Sequence, residues 1–206
     1  MEMKKAFTML ELVFVIMIIG ILSYVVSSSF QRNTLREAAD QVVSHIRYTQ
    51  HLAMIDDKFK DNNATWFRAN WQLEFKRLTN PLKIYYEIYS DKDQNGNSDA
   101  MEPARDPLSN NYFDGTNNKT NIAKSFGITS VEFAQSCHTG TGIGELSFDI
   151  LGRPYYYITK TLPPATNRYQ YLLTQDCHIT LVNPDGNVTI TVTKETGYTY
   201  ISSQNY

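Results

Sequence analysis

Apolar residues dominate the N-terminal part of the chain. Residues 7–26 form a run of twenty residues with a single formal charge, at Glu11, and the run is preceded by Lys4 and Lys5. A helix of about 20 apolar residues is long enough to cross the hydrocarbon core of a bilayer. The pattern therefore predicts a transmembrane helix over residues 7–26.

A helical stripe of mostly apolar positions follows this run, at alternating spacings of four and three residues. Its members are Leu35, Ala39, Val42, Ile46, Thr49 and Ala53. The stripe predicts that the helix continues without a break as an amphipathic segment over residues 27–60.

A secretory signal peptide is the alternative interpretation of the first thirty residues. The small residues at 27–29 would then provide a cleavage site after the apolar run. Two features disfavour this alternative. A signal peptide does not need the helical stripe that follows, and a carboxylate such as Glu11 costs about 2.5–3.5 kcal/mol at the centre of a membrane helix.

Beyond residue 60 the apolar period shortens towards two, which is typical of β-strands. Trp71, Leu73 and Phe75 alternate with Gln72 and Glu74. Further strand-like runs occupy residues 84–89, 128–133, 145–150, 155–159, 169–173, 177–182, 188–192 and 198–201. The Asn-Pro-Asp-Gly sequence at 183–186 predicts a hairpin turn between two of these runs.

These patterns predict an α+β fold, with a long N-terminal helix packed on antiparallel sheet, either one sheet or two. Residues 61–206 would form a β-rich globular domain. Within it, residues 91–121 are polar and rich in Asn, Asp, Gly and Pro, which predicts a long loop without an obvious core element.

The N-terminal residues also resemble a known family. Lys-Lys-Ala-Phe-Thr-Met-Leu-Glu-Leu-Val-Phe-Val-Ile at 4–16 and Ile-Ile-Gly-Ile-Leu at 18–22 closely resemble the signature of type IV pilins and type II secretion pseudopilins. The resemblance implies that a prepilin peptidase cuts between Ala6 and Phe7, removing residues 1–6 as a leader, and that the new Phe7 amine is methylated.

The same resemblance implies a location and a set of partners. The precursor would cross the bacterial inner membrane once, with its C-terminal domain in the periplasm or in an extracellular filament. Its partners would be other pilins or pseudopilins of the same filament, the prepilin peptidase and the inner-membrane assembly platform. Ala6 stands where the family usually has Gly and is small enough for cutting to occur, and the lack of the proline that many major pilins carry at 26–29 favours a minor pilin or pseudopilin.

Weaker similarity in the second half indicates a branch of this family. Leu-Ser-Phe-Asp at 146–149, Gly-Arg-Pro at 152–154 and Glu-Thr-Gly at 195–197 resemble blocks of H-type pseudopilins and related minor pilins.

The charge of Glu11 has a chemical interpretation of its own. A carboxylate in hydrocarbon is tolerated chiefly when it is paired, and cleavage before Phe7 would create a positive amine. A neighbouring subunit, staggered along a filament, would bring its Phe7 amine to the depth of Glu11. The alternative is a simple anchor in which Glu11 lies near the lipid headgroups without a role in assembly.

The two cysteines, Cys137 and Cys177, predict a disulfide if the domain is exported. Such a bridge would close a loop of about forty residues and stabilise the fold by roughly 3–4 kcal/mol. Each cysteine is followed by a histidine, so a zinc site is the alternative. Adjacent residues on a strand point to opposite faces, which makes joint ligation awkward.

Residues 91–102 match the twelve-position calcium loop. Oxygen ligands would come from positions 1, 3, 5, 7, 9 and 12, with Gly96 at position 6. These are Asp91, Asp93, Asn95, the carbonyl of Asn97, Asp99 and Glu102. A strand-like run precedes the loop and Pro103 follows it, so this is no paired EF-hand. The alternative is a polar turn that binds no ion.

Composition limits the remaining functions. Removal of residues 1–6 would leave 17 basic and 20 acidic side chains, so no broad cationic field favours nucleic acid. The runner-up function is a filament-associated minor pilin that binds DNA for uptake, which would need a local basic patch. No nucleophile elbow, phosphate loop or zinc-protease spacing is found, and we predict that the protein is not an enzyme.

Overall fold

The computed structural model describes residues 8–29, 33–138, 142–156 and 167–205. The chain divides into two compact units, Met1–Asn33 and Thr34–Tyr206. The leader residues 1–6 and Phe7 lie outside the described residues, so the predicted cleavage site has no structural account here.

The first unit contains helix α1, Met9–Ser29. The sequence predicts a transmembrane helix over residues 7–26. In the described ranges, however, no helix is both long and apolar enough to cross a membrane.

The predicted unbroken helix is described as two helices. Helix α2 spans Thr34–Ile55 in the second unit, and Asn33, which precedes it, is not helical. Serines at 27–29 and Asn33 are residue types whose side chains compete for backbone hydrogen bonds, which favours helix ends over helix interiors. The prediction of one continuous helix over residues 7–60 is therefore wrong at Asn33.

Helix α2 buries one side. All six residues of the stripe are buried, together with two neighbours; the full set is Leu35, Ala38, Ala39, Val42, Val43, Ile46, Thr49 and Ala53. The helix contacts two strands of one sheet and three strands of the other. One hydrophobic core thus joins α2 to both sheets.

The strands form two antiparallel sheets. Their bounds are β1 Trp71–Thr79, β2 Leu82–Ser90, β3 Ser130–Phe133, β4 Gly144–Phe148, β5 Pro154–Tyr155, β6 Cys177–Asn183, β7 Gly186–Val192 and β8 Thr199–Asn205. The first sheet has the order β2-β1-β4-β5 and the second β3-β6-β7-β8. A short helix, α3, spans Ile122–Phe126, and 3₁₀ turns span Trp66–Ala69 and Gln135–Cys137. The predicted α+β class, with a helix packed on antiparallel sheet, is confirmed, in its two-sheet form.

Most of the predicted strands form, with two differences. The hairpin at 177–192 is present, and the Asn183 side chain accepts bonds from the backbone N–H groups of Asp185 and Gly186. Residues 169–173 form no strand, because only Leu172 pairs, in an isolated bridge to Tyr155. The run at 155–159 is a strand only at its first residue, and 157–159 lie outside the described residues.

Residues 102–121, here called the edge segment, run along the outer edge of β2. The Ala104 N–H donates to the Ile88 carbonyl at 2.7 Å, and the Ile88 N–H donates to the Phe113 carbonyl at 3.1 Å. Ala104, Phe113 and Thr120 are buried. The polar loop predicted at 91–121 therefore contains core residues, although it has no apolar period.

Two of the sequence blocks in the second half meet at one residue of α2. Gln50 Nε2 donates to the carbonyls of Gly152, at 2.8 Å, and Thr196, at 2.7 Å. Gly197 has a φ of +65°, and a Cβ at this position would lie 2.6 Å from Gln50 Nε2. The glycines thus allow two turns to approach the helix closely.

We predict that Gln50→Ala lowers the stability of the second unit by about 1–2 kcal/mol, because two carbonyls lose their donor. Thermal melting of residues 34–206, which contain the whole core, measures the change. His51→Ala is the matched control, since His51 is the exposed neighbour on the same helix and its loss should change stability by less than about 0.5 kcal/mol. Equal melting temperatures for the two variants would contradict the prediction.

Candidate functional site

Helix α1 exposes nearly all of its apolar side chains. From Met9 to Val25 the exposed fraction of the large apolar residues ranges from 44% at Val15 to 87% at Met9. Burying one such side chain is favourable by about 1.5–3 kcal/mol of free energy relative to leaving it exposed to water. An apolar surface of this extent marks a site of contact with protein or membrane.

Glu11 lies in the first turn of α1 and contacts Thr8. The Glu11 N–H donates to Thr8 Oγ1 at 3.3 Å, and the Thr8 N–H donates to Glu11 Oε2 at 3.4 Å. This reciprocal pair is a capping box, which satisfies backbone donors at a helix N-terminus. The Thr-x-x-Glu spacing at 8–11 is the sequence signal of such a cap.

The capping box gives Glu11 a local role beside the predicted assembly role. An ionised carboxylate has about four lone-pair sites, so the bond from Thr8 does not exhaust its capacity as an acceptor. The predicted partner, the Phe7 amine, lies outside the described residues. The pairing of Glu11 with a neighbouring subunit remains a prediction.

The acidic loop at 91–102 follows directly after β2. Asp91, Asp93 and Glu102 each place one carboxylate oxygen so that the three oxygens lie within 4.8 Å of one another. Asp91 is fully buried and Glu102 is 6% exposed, whereas Asp93 is exposed. The first, third and twelfth positions of the calcium pattern thus come together.

The middle positions of the loop bind one another. Asn95 Nδ2 donates to Asp93 Oδ2 at 2.9 Å and to Asp99 Oδ2 at 2.6 Å, and the Asn97 N–H donates to Asn95 Oδ1 at 2.8 Å. The neutral amide of Asn95 therefore bridges two carboxylates. Gly96, at the sixth position, has a φ of +82°, which suits the sharp turn that the pattern requires there.

The surroundings of Asp91 disfavour its ionised form, which a nearby cation would stabilise. Burial raises the pKa of Asp91 to about 6, and Asp93 and Glu102 add to the effect, while N–H bonds from Gly96 and Asn95 oppose it. A bound divalent ion would favour the ionised form of all three acids. Their hard oxygen atoms are the ligand type that Ca²⁺ prefers.

The cysteines of the sequence are joined. Cys137 and Cys177 form a disulfide with a Cα–Cα distance of 5.3 Å, as predicted. Both sulfur atoms are bonded to each other, so they are not thiolate ligands for zinc. The bridge ties the turn after β3 to the start of β6.

Comparison with known proteins adds nothing to these observations. No family model, curated protein or solved structure matches the chain. The likeness of residues 4–22 to the pilin signature therefore depends on those residues alone.

We predict that calcium raises the melting temperature of residues 34–206. With a dissociation constant of about 10⁻⁴ to 10⁻³ M, as in extracellular modules, 10 mM calcium would stabilise by roughly 1–3 kcal/mol. The double variant Asp91→Ala, Asp93→Ala should lose the shift, because it removes two of the three clustered carboxylates.

Asp185→Ala is the control for this experiment, since it removes an exposed acid from the β6–β7 turn. It should keep the calcium shift. If calcium produces neither a calorimetric heat nor a change in melting relative to a chelator, the loop is only a turn.

Proposed function

We propose that this protein is a pilin-like subunit that assembles through α1 into a type II secretion pseudopilus or a type IV pilus. The observation that carries the proposal is the exposed apolar surface of α1. The helix has apolar residues all around, so no single face stands out as the contact surface. Like helices from other subunits provide a cover of matching chemistry.

The proposal assigns the two compact units different tasks. Helix α1 makes the contacts that build the filament. The second unit has its own core, shared by α2 and both sheets, and does not need α1 for its packing. This division suits a subunit that presents its C-terminal unit on the outside of a helical bundle.

Cleavage, methylation and the inner-membrane location are further parts of the proposal. They depend on the sequence pattern at 4–26 and on its resemblance to pilins. The disulfide supports an oxidising location for the second unit, such as the periplasm or the cell exterior, because disulfides persist there and are rare in the cytosol.

We also propose that the acidic loop binds calcium and fixes the start of the edge segment. Glu102 supplies one of the three clustered carboxylate oxygens, and its carbonyl accepts a bond from the Ser90 N–H at 3.3 Å. An ion held by Glu102 would therefore also hold the backbone that pairs with β2. In a filament, this would keep the surface of the second unit in one shape for contacts between subunits.

We predict that the mature protein begins at Phe7. Mass spectrometry of the protein extracted from cell membranes should give an N-terminal peptide that starts at Phe7 and carries one extra methyl group. A start after residue 27 or 29 would support the signal peptide instead. An intact Met1 would contradict processing altogether.

We predict that Glu11→Ala leaves membrane association unchanged but strongly reduces incorporation into filaments. The substitution removes the charge that would pair with a neighbour's amine. Membrane association is measured by carbonate extraction, and incorporation by the amount of subunit in sheared filaments. The strain must lack the wild-type copy.

Two further variants separate the charge of Glu11 from its capping role. Glu11→Gln keeps the capping box, because Gln also serves at this position, but removes the charge. Thr8→Ala removes the box and keeps the charge. Loss of filaments in Glu11→Gln alone supports pairing; loss in Thr8→Ala alone shows that capping is the role of Glu11.

A further inference from the structure

His45 of α2 lies under the edge segment, in a partly buried position between that segment and β2. Its Nδ1 atom is 2.5 Å from the hydroxyl of Tyr86, on β2. Its ring meets the ring of Phe113 edge-on at 4.7 Å. One histidine therefore contacts both β2 and the segment that covers its edge.

The hydrogen bonds around Tyr86 determine the protonation state of His45. Gln41 Nε2 donates to the Lys119 carbonyl at 2.6 Å. A carbonyl can only accept, so this bond fixes which end of the Gln41 amide carries the nitrogen. The same nitrogen donates to Tyr86 Oη at 2.8 Å. The hydroxyl thus already accepts a bond, and its own proton points to an acceptor. We assign His45 Nδ1 as that acceptor, which makes the imidazole neutral with its proton on Nε2.

A second proton on His45 would break this arrangement. Nδ1 would become a donor, and it would face a hydroxyl that already accepts from Gln41 and has no acceptor for its own proton within this triad. Burial raises the pKa of Tyr86 well above its ordinary value, so the hydroxyl keeps its proton. The conflict is relieved when water reaches the imidazole and the hydroxyl, and Phe113 of the edge segment covers the imidazole.

The charged groups near the imidazole come from the edge segment. Asp106 and Lys119 form a salt bridge at 2.8 Å, and Asp106 also accepts bonds from Ser109 and the Leu108 N–H. Burial alone would raise the pKa of Asp106, but the bonds from Lys119, Ser109 and Leu108 hold it well below its usual range. The Asp106 carboxylate therefore makes these bonds within the edge segment itself.

Burial lowers the pKa of His45 from 6.5 to about 4, with Lys119 reinforcing the shift and Asp106 opposing it. The closed state is therefore favoured by neutral His45 above about pH 6.5, and this contribution is lost as the pH falls through about 4. Tyr48 is the remaining titratable group on this face of α2, and its hydroxyl donates to the Arg105 carbonyl at 2.9 Å.

We propose that the edge segment is an acid-sensitive cover for the edge of β2, closed by neutral His45 and released when His45 gains a proton. The segment is attached to α2 through three residues on one helix face, Gln41, His45 and Tyr48. Release would uncover the backbone of β2 at Ile88. An uncovered strand edge is a template for pairing with another strand.

Hydrogen exchange of the full chain in detergent tests the proposal. Between about pH 7 and pH 4, after correction for intrinsic exchange rates, the opening equilibrium of the amides of Ile88, Ala104 and Phe113 should rise about 100-fold. These amides should remain at least about 10-fold less protected than those of β6 and β7. Their exchange should not respond to low concentrations of urea, as expected for local opening.

Substitutions identify the proton acceptor. His45→Gln keeps an acceptor for Tyr86 but has no titrating group, so the pH effect on these amides should disappear. His51→Gln, on the exposed side of the same helix, should keep it. In the unsubstituted chain, the NMR signals of the His45 ring should titrate below about pH 5, and the rise in opening should level off over the same range. This test does not depend on any variant folding.

Three results would overturn the proposal. The first is exchange of the edge segment with the same protection and urea dependence as β6 and β7, which would show only global unfolding. The second is persistence of the pH effect in His45→Gln. The third is an NMR titration of His45 with an ordinary midpoint near pH 6.5, which would show that the closed state does not disfavour the protonated ring.

Discussion

The packing of α2 against both sheets is the interaction on which the second unit depends. The helix contacts β1 and β4 on one side of the core and β6, β7 and β8 on the other. Each buried Leu, Ile or Val of its stripe contributes about 1.5–3 kcal/mol. The flanks of the same helix carry polar contacts. Gln50 binds two glycine-containing turns, and Gln41 and Tyr48 donate to carbonyls of the edge segment. His45 contacts a β2 hydroxyl and the Phe113 ring of the edge segment. The position of α2 therefore sets the position of the loops as well as of the sheets.

The sequence predicted those features that follow from local periods and turn chemistry. The stripe of α2 has the helical spacing, and the hairpin at 177–192 has two β-branched runs around an Asn-Pro-Asp-Gly turn. The edge segment could not be predicted in this way, because its backbone bonds with β2 need no alternation of apolar residues. The run at 169–173 has strand-like composition, but composition does not supply a neighbouring strand to pair with.

The candidate sites differ in how far sequence alone could describe them. In the acidic loop, spacing placed oxygen-bearing residues at the required positions, and Asp91, Asp93 and Glu102 do converge. Spacing could not show that Asn95 bridges Asp93 and Asp99, because that bond depends on side-chain orientation. For Glu11, the sequence does contain the signal of a local partner. Thr8 lies three residues earlier, and this spacing is enough to predict a helix cap.

The edge of β2 shows why polar chemistry is concentrated in residues 91–121. A sheet edge needs hydrogen-bond partners for its backbone more than it needs apolar cover, so a segment rich in Asn and Asp can protect it. Such a segment buries few large side chains, Phe113 being the main one, and gains little from the hydrophobic effect. Its attachment must then depend on a small number of polar contacts, each sensitive to charge. Carboxylates cluster at one end, at Asp91 and Glu102, and an imidazole that must stay neutral lies under the middle, at His45. On the two proposals made above, a cover held in this way would respond to calcium and to protons at concentrations that leave the core formed by α2 and the sheets unchanged.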